Sequence, residues 1–229
     1  MNIIGFDFGT TNSMLSYYNP ETKELDCFTP NAAASSYIPT VIAYKGDDVI
    51  IGTLAKNNIT KKGYDAYEHF KLRLGRDADK VIENRSKSPL QVTTDYIKKI
   101  LAQYQDVQNI SHIDGIVMTV PETWFREASN RTARENIEGI YAFLGYDTEL
   151  QFQLESEPVA ATAYFCHNYE RSNRNHVTKD VHAFANQQII EHSILPFYVF
   201  NRQMQICLSK YLKSIPYSQK YRKCFCVHL

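Results

Sequence analysis

Glycine is missing from the last 84 residues of this 229-residue chain, since all nine glycines lie at or before Gly145. A backbone that approaches a phosphate or turns with positive φ normally uses glycine, so any phosphate loop is confined to the N-terminal part. Cysteine is scarce and odd in number, five in all, without the even spacing of a disulfide framework. That fits a reducing compartment and a cytoplasmic protein. The lone Cys224-x-Cys226 with His228 beyond it lacks the second ligand pair that tetrahedral zinc needs. No stretch approaches the roughly 20 apolar residues of a membrane span, and the longest candidate, Ile194 to Phe200, is broken by Pro196. Met1-Asn2 has no basic flank and Asp7 interrupts the apolar run behind it, so the start does not read as a signal peptide. Net charge is lacking too: 25 Lys and Arg balance 25 Asp and Glu. No overall field points to nucleic acid or to an anionic membrane, and neither is expected as a partner.

What is present is enough apolar material, 44% of residues, for one substantial core or two small ones. The zero net charge hides a division. Residues 1–169 carry 16 basic and 22 acidic side chains, net −6, whereas residues 170–229 carry 9 and 3, net +6. Periodicity changes at the same place, and glycine has already stopped at Gly145. The chain therefore divides into an ordered part, 1–169, and a glycine-free tail, 170–229, expected to pack poorly.

Ile3, Ile4, Phe6 and Phe8 form a short apolar run that stops at Gly9-Thr10-Thr11-Asn12 and resumes at Met14, which reads as strand, tight turn, strand. Leu25 to Phe28, Tyr37 to Tyr44 and Val49 to Ile51 extend this into a β-meander. Helices are expected at Thr53 to Ile59 and Tyr67 to Leu74. A longer one is capped by Thr93 or Thr94 and places Ile97, Ile100, Leu101 and Tyr104 on one face. Ile113 to Val120 reads as a buried parallel strand closed by Pro121. A long helix from Phe125 to Leu144, a strand at about Leu150 to Leu154 and a helix opened by Glu157-Pro158 follow. A meander followed by alternating strands and helices is a mixed α/β architecture.

The sharpest local signal is Gly5-Phe6-Asp7-Phe8-Gly9-Thr10-Thr11-Asn12-Ser13. An Asp at the end of a buried strand, followed by a glycine turn with two hydroxyls, suits a hydrated Mg²⁺ and a row of backbone N–H groups facing phosphate oxygens. The same residues also suit an ordinary β-turn with an Asx cap, and spacing alone leaves both open.

GFDFGTTNS resembles the first phosphate motif of the actin-like ATPase superfamily, and its Asn12-Ser13 ending is similar to the seventy-kilodalton heat-shock chaperones, the heat shock protein 70 family. Further segments agree in order: Ile38 to Tyr44, Ile51-Gly52 with Ala55-Lys56, Phe70 to Arg76, Val117 to Pro121, and Glu157 to Tyr164. The resemblance covers residues 2 to 169. It implies an α/β, actin-like ATPase (ribonuclease H-like) lobe, a mixed sheet with flanking helices that forms the first of two lobes binding ATP or ADP with Mg²⁺.

By resemblance, Asp7 orients the water shell of Mg²⁺, and Gly9, Thr10 and Thr11 cradle the β- and γ-phosphates. Lys71 stabilises charge on the transferred phosphoryl, and Glu157 positions the attacking water or its metal shell. Pro121 and Arg131 stand where the chaperones relay nucleotide state, and co-chaperone-like partners are implied for an intact relative. Bland readings stand beside these: a solvated lysine, a carboxylate at a helix start, a helix-surface arginine.

Three departures matter. The segment before Arg131 runs about two residues longer than the family pattern, and Arg76 to Pro89 is shorter, suggesting a trimmed peripheral subdomain. The second, triple-glycine phosphate loop and the second lobe have no counterpart in a glycine-free tail. The expectation is a truncated chaperone-like lobe that binds nucleotide weakly and does not hydrolyse it alone. The alternatives are a non-catalytic interaction module or gene remnant, and a sugar or acetate kinase relative.

Overall fold

Every second residue of the first apolar run turns inward: Ile4, Phe6 and Phe8 are fully buried along β1 (Ile3–Phe8). The computed structural model describes residues 2–162 apart from positions 20, 23, 31–34, 128–129 and 150. The expectations for 170–229, and for Cys224, Cys226 and His228, lie outside the described residues.

The run returns as β2 (Asn12–Asn19), antiparallel to β1 from Ile4↔Tyr17 to Phe8↔Ser13, and β3 (Glu24–Cys27) adds to its far side. The two-residue β4 (Ile38–Pro39) pairs with Asn12 and Ser13, so the chain re-enters beside the glycine turn. One residue later a separate sheet begins. It consists of β5 (Val41–Lys45), β6 (Asp48–Ile51) and, after the short α1 (Gly52–Lys56), β7 (Asp65–Glu68), with β5 in the middle.

The expected helix over Tyr67 to Leu74 is not formed as such. Tyr67 lies in β7 opposite Ile42, and His69 takes a left-handed φ of 56°, which stops any helix there. Only a 3-10 turn, Phe70–Arg73, remains. The helix expected over Thr53 to Ile59 is likewise shortened to α1.

The longest helix among the described residues, α2 (Pro89–Gln108), starts five to six residues earlier than expected. Ser88 caps it, accepting from the Gln91 N–H while the Gln91 side chain accepts from the Ser88 N–H, and Pro89 fills the first helical position. Thr93 and Thr94 are interior, and their hydroxyls donate back to the Pro89 and Leu90 carbonyls at 2.7 and 2.8 Å. Tyr96, Ile97, Ile100, Leu101 and Tyr104 line the buried face, as periodicity required.

β8 (Gly115–Val120) is buried throughout and lies parallel to β1, and β9 (Phe152–Ser156) lies parallel to β8. The expected helix from Phe125 to Leu144 is two pieces, α3 (Thr123–Arg126) and α4 (Arg131–Phe143). Residues 157–162 are helical. Among the described residues the result is a six-stranded mixed sheet in the order β3-β2-β1-β8-β9, with β4 on β2. One apolar cluster joins Phe6 and Phe8 to Tyr96 and Ile100 of α2 and to Ile137 and Tyr141 of α4. Among the described residues no helix is long and apolar enough to cross a membrane.

Candidate functional site

In open α/β sheets the carboxyl ends of parallel strands leave a crevice where ligands bind. Here β1, β8 and β9 end together, with Asp7, Thr119 and Glu155 in register across them. Asp7 is half-buried, and one carboxylate oxygen accepts the Thr119 hydroxyl at 3.0 Å, which fixes its rotamer. Gly9 and Thr10 follow, half-buried, with Thr11 and Asn12 exposed.

The turn is tight. A Cβ on Gly9 would fall 2.2 Å from the Asn12 carbonyl oxygen, so no larger residue fits without opening it. Behind the turn stands an aromatic trio, Phe8, Phe70 and Tyr96, with ring centroids 5.7 to 6.3 Å apart. Phe70 is the first residue of the 3-10 turn, and packing it there delivers the next side chain, Lys71, to the site.

Lys71 is not a solvated surface lysine: its side chain is 3% exposed. Its Nζ donates to the Phe8 carbonyl and lies 3.7 Å from Glu157 Oε1. The ammonium sits 5.3 Å from the Phe8 ring centroid and 5.5 Å from that of Trp124. Burial pulls its pKa below 10.5, while the charges of Glu157 and Asp7 act in the opposite direction. Glu157 opens the helical stretch 157–162 at the end of β9, with its side chain 40% exposed.

The fold therefore brings together Asp7, the Gly9 to Thr11 turn, Lys71 and Glu157. It places Pro121 directly after β8, its carbonyl accepting the Trp124 N–H at 2.9 Å. Arg131 stands at the start of α4, exposed and paired with Glu135 at 2.7 Å on the same helix. An open cleft of about 500 Å³ lies elsewhere, between the small sheet and α2. Its acidic walls are internally paired, Asp95 with Tyr44 and Lys87, and Asp65 with Tyr67, Ser86 and Arg85.

Four residues at the site escaped the sequence reading. Thr119 and Thr40 are single hydroxyls inside otherwise apolar runs, a signal that was available. Trp124, the one tryptophan, and Glu155 gave none. Burial pushes the Glu155 carboxyl above its ordinary value, helped by the nearby charge of Glu122.

The family model described as Hsp70 protein matches residues 3–120. The chaperone protein DnaK of Thermosipho melanesiensis is 26% identical over 160 residues, 69% of this chain and 25% of that protein. The DnaK of Mycoplasma mobile is 27% identical over 163 residues, 71% of this chain and 25% of its own length. A shorter match, 33% over 89 residues, joins 39% of the chain to 14% of the DnaK of Deinococcus deserti. The chain spans about a quarter of the length of the first two of these relatives. The family's nucleotide-binding domain has the actin-like ATPase fold, and the mixed sheet with its flanking helices agrees with it. A strand-turn-strand opening at Gly5 to Ser13, a buried lysine returned to it by the segment 70–73, and a family match over more than half the chain together establish that this protein belongs to the Hsp70 family.

Proposed function

We propose that residues 1–169 form the first-lobe wall of a chaperone-type nucleotide site, taking the phosphates of ATP or ADP on the Gly9-Thr10-Thr11 turn. The observation that carries this reading is Lys71: a buried ammonium held against the Phe8 carbonyl, 3.7 Å from Glu157 and beside the turn. A fixed positive charge at the rim of a glycine turn suits the oxygens of a transferred phosphoryl group. Glu157, partly exposed at the same rim, is the group that accepts a hydrogen bond from water in line with them.

The Asp7 carboxylate, oriented by Thr119, supplies hard oxygen of the kind Mg²⁺ prefers and fits the metal through its water shell. When bound, Mg²⁺ would offset charge on the β- and γ-phosphates. Pro121 and Arg131 belong to the same proposal as the path by which nucleotide state reaches a partner such as a co-chaperone. A reducing, cytoplasmic compartment and the division of the chain at residue 170 complete it.

The described residues supply one wall of that site. Gly9 and Thr10 are half-buried and Thr11 is exposed, so a phosphate held on this turn alone stays in contact with water, where high dielectric weakens each contact. Binding in the millimolar range follows, on the order of 4 kcal/mol. Catalysis of phosphoryl transfer needs groups acting together from both sides, so no turnover follows either. The test is titration calorimetry with Mg-ATP and a free-phosphate assay on the purified chain. Millimolar binding that Lys71→Ala weakens, with phosphate release equal to buffer, is the expected result. Micromolar binding or steady release abolished by Lys71→Ala overturns the one-wall reading. Absence of any Mg-ATP binding overturns the assignment of the site.

A further inference from the structure

Thr40 is the single residue between β4, which belongs to the large sheet, and β5, which belongs to the small one. Its side chain is buried although it is polar, and every polar group it owns on that side is spent on the glycine turn. Its N–H donates to the Thr11 carbonyl at 2.8 Å, its hydroxyl donates to the Gly9 carbonyl at 2.8 Å, and the same hydroxyl lies 2.9 Å from the Ser13 hydroxyl. The hydroxyl proton can go to only one acceptor, so with Gly9 accepting it the Ser13 hydroxyl is the donor in the second bond. One residue thus grips the turn at its first, third and fifth positions, 9, 11 and 13.

The grip is itself backed by α2. The Tyr96 hydroxyl donates to the Pro39 carbonyl at 3.3 Å. Tyr96, Ser13 and Thr40 are all buried, the last two with their hydroxyls 2.9 Å apart and the first bonded to the residue before Thr40, so the three form one buried polar knot; burial pushes the Tyr96 pKa up, while the Ser13 and Thr40 hydroxyls pull it the other way. A knot of this kind inside an apolar core costs free energy unless its groups are hydrogen-bonded, and when they are it fixes one geometry. The carbonyls of Gly9 and Thr11 turn toward Thr40. With those two oxygens held inward, the N–H groups that share their peptide planes, those of Thr10 and Asn12, are kept pointing the opposite way, toward a ligand on the outer side of the turn.

The geometry points to Thr40 as a positioning residue that presets the phosphate turn for its ligand and ties that turn to the junction with the small sheet. This rests on the reading of Gly9 to Thr11 as a phosphate cradle. Thr40 does not touch phosphate, and its effect runs through the peptide planes it holds. Because Thr40 is also the first link to β5, occupancy of the turn and the setting of the small sheet should report on one another.

The test uses the full chain, with Mg-ATP as the probe and amide chemical shifts of Thr10, Thr11 and of β5 as readouts, a method that follows millimolar binding. Thr40→Val keeps the shape and the N–H but removes the hydroxyl, and Thr40→Ser restores it. Thr40→Val should weaken Mg-ATP by about tenfold, the size of one or two lost net hydrogen bonds. It should also abolish the ligand-induced shifts in β5, while Thr40→Ser returns both to within about twofold of the starting chain. A merely structural role would lower the melting temperature of Thr40→Val and leave the affinity of the folded protein unchanged, and that result overturns the proposal. If Thr40→Val fails to fold, Ser13→Ala, which removes only the partner hydroxyl, is read in its place with a weaker affinity expected and an unchanged one overturning. Wild-type chain whose Thr10 and Thr11 amides ignore Mg-ATP overturns the cradle itself and this inference with it. Wild-type binding with Thr40→Val equal to it overturns this inference alone.

Discussion

The Lys71 ammonium and the Glu157 carboxylate meet at 3.7 Å from segments far apart in the chain, one delivered by a 3-10 turn after β7 and the other by the end of β9. Glu157 is one of two charges that raise the Lys71 pKa against the larger effect of burial. Replacing Glu157 by Gln should therefore lower the Lys71 pKa further below 10.5. Nitrogen or ε-carbon NMR titration of Lys71 in the two proteins reads this directly. An unchanged or higher value in Glu157→Gln would mean that the pair does not interact in solution.

Gly9→Ala should destabilise the fold by about 1 to 3 kcal/mol, the usual cost of forcing a methyl into a filled site. The clash at 2.2 Å is with the Asn12 backbone oxygen, which cannot swing aside as a side chain can. Urea denaturation measures the loss. A change smaller than the error of the experiment would show that the turn is open rather than closed on itself.

Ser88→Ala removes the cap of α2 and should cost about 1 kcal/mol. Thr94→Ala, at the position where sequence suggested the cap, should cost less, because its hydroxyl only returns to a carbonyl already bonded within the helix. Chemical denaturation of the two variants ranks them, and the reverse order would place the helix start where the sequence had it.

The Asp65 carboxyl carries a pH dependence. Burial pushes its pKa up, but hydrogen bonds from Tyr67 and Ser86 and the charge of Arg85 outweigh that and hold it below 3.8. A depressed carboxylate contributes stability that is complete above the ordinary value and is lost as pH falls through the lower, folded one. Thermal denaturation below pH 3.8 should therefore fall more steeply for wild type than for Asp65→Asn. Parallel curves would mean that the bonds from Tyr67 and Ser86 do not depend on the charge.

Arg131→Ala should change stability by less than about 0.5 kcal/mol, since its pairing with Glu135 is an exposed contact within one helix. A larger loss in urea denaturation would show that Arg131 has a structural partner besides Glu135.

Much of the core was legible because hydrophobic alternation and glycine placement are local properties. Ile4, Phe6 and Phe8 announced β1, the glycine turn announced its end, and Ile97, Ile100 and Tyr104 announced the inner face of α2. The failures were places where a residue's tertiary partner outweighed its neighbours. Tyr67 was read into a helix, yet its hydroxyl is held by Asp65 and by the N–H groups of Ser86 and Lys87, which keeps it in a strand. Thr93 and Thr94 have the chemistry of caps, but Ser88 with Gln91 and Pro89 forms a complete capping box in front of them. The assembly of Asp7, Lys71 and Glu157 was available only through family likeness, because no periodicity relates residues brought together by strand order. Thr40 was visible as a lone hydroxyl in an apolar segment, but what it holds depends on β4 returning beside β2.

The position of β1 in the sheet has a consequence for how the protein is made. Its antiparallel neighbour β2 is only a turn away, whereas its parallel neighbour β8 begins at Gly115. During synthesis the first hairpin can close early, yet the other side of β1 keeps its row of unpaired backbone groups until β8 has emerged. At roughly 5 to 20 residues per second that interval lasts about 5 to 20 s. For that time the strand that carries the phosphate turn is an exposed edge, open to pairing with another chain. A ribosome that stalls before Gly115 would leave it so, which makes the stretch between β3 and β8 the interval in which this chain most needs protection by chaperones such as those its own family supplies.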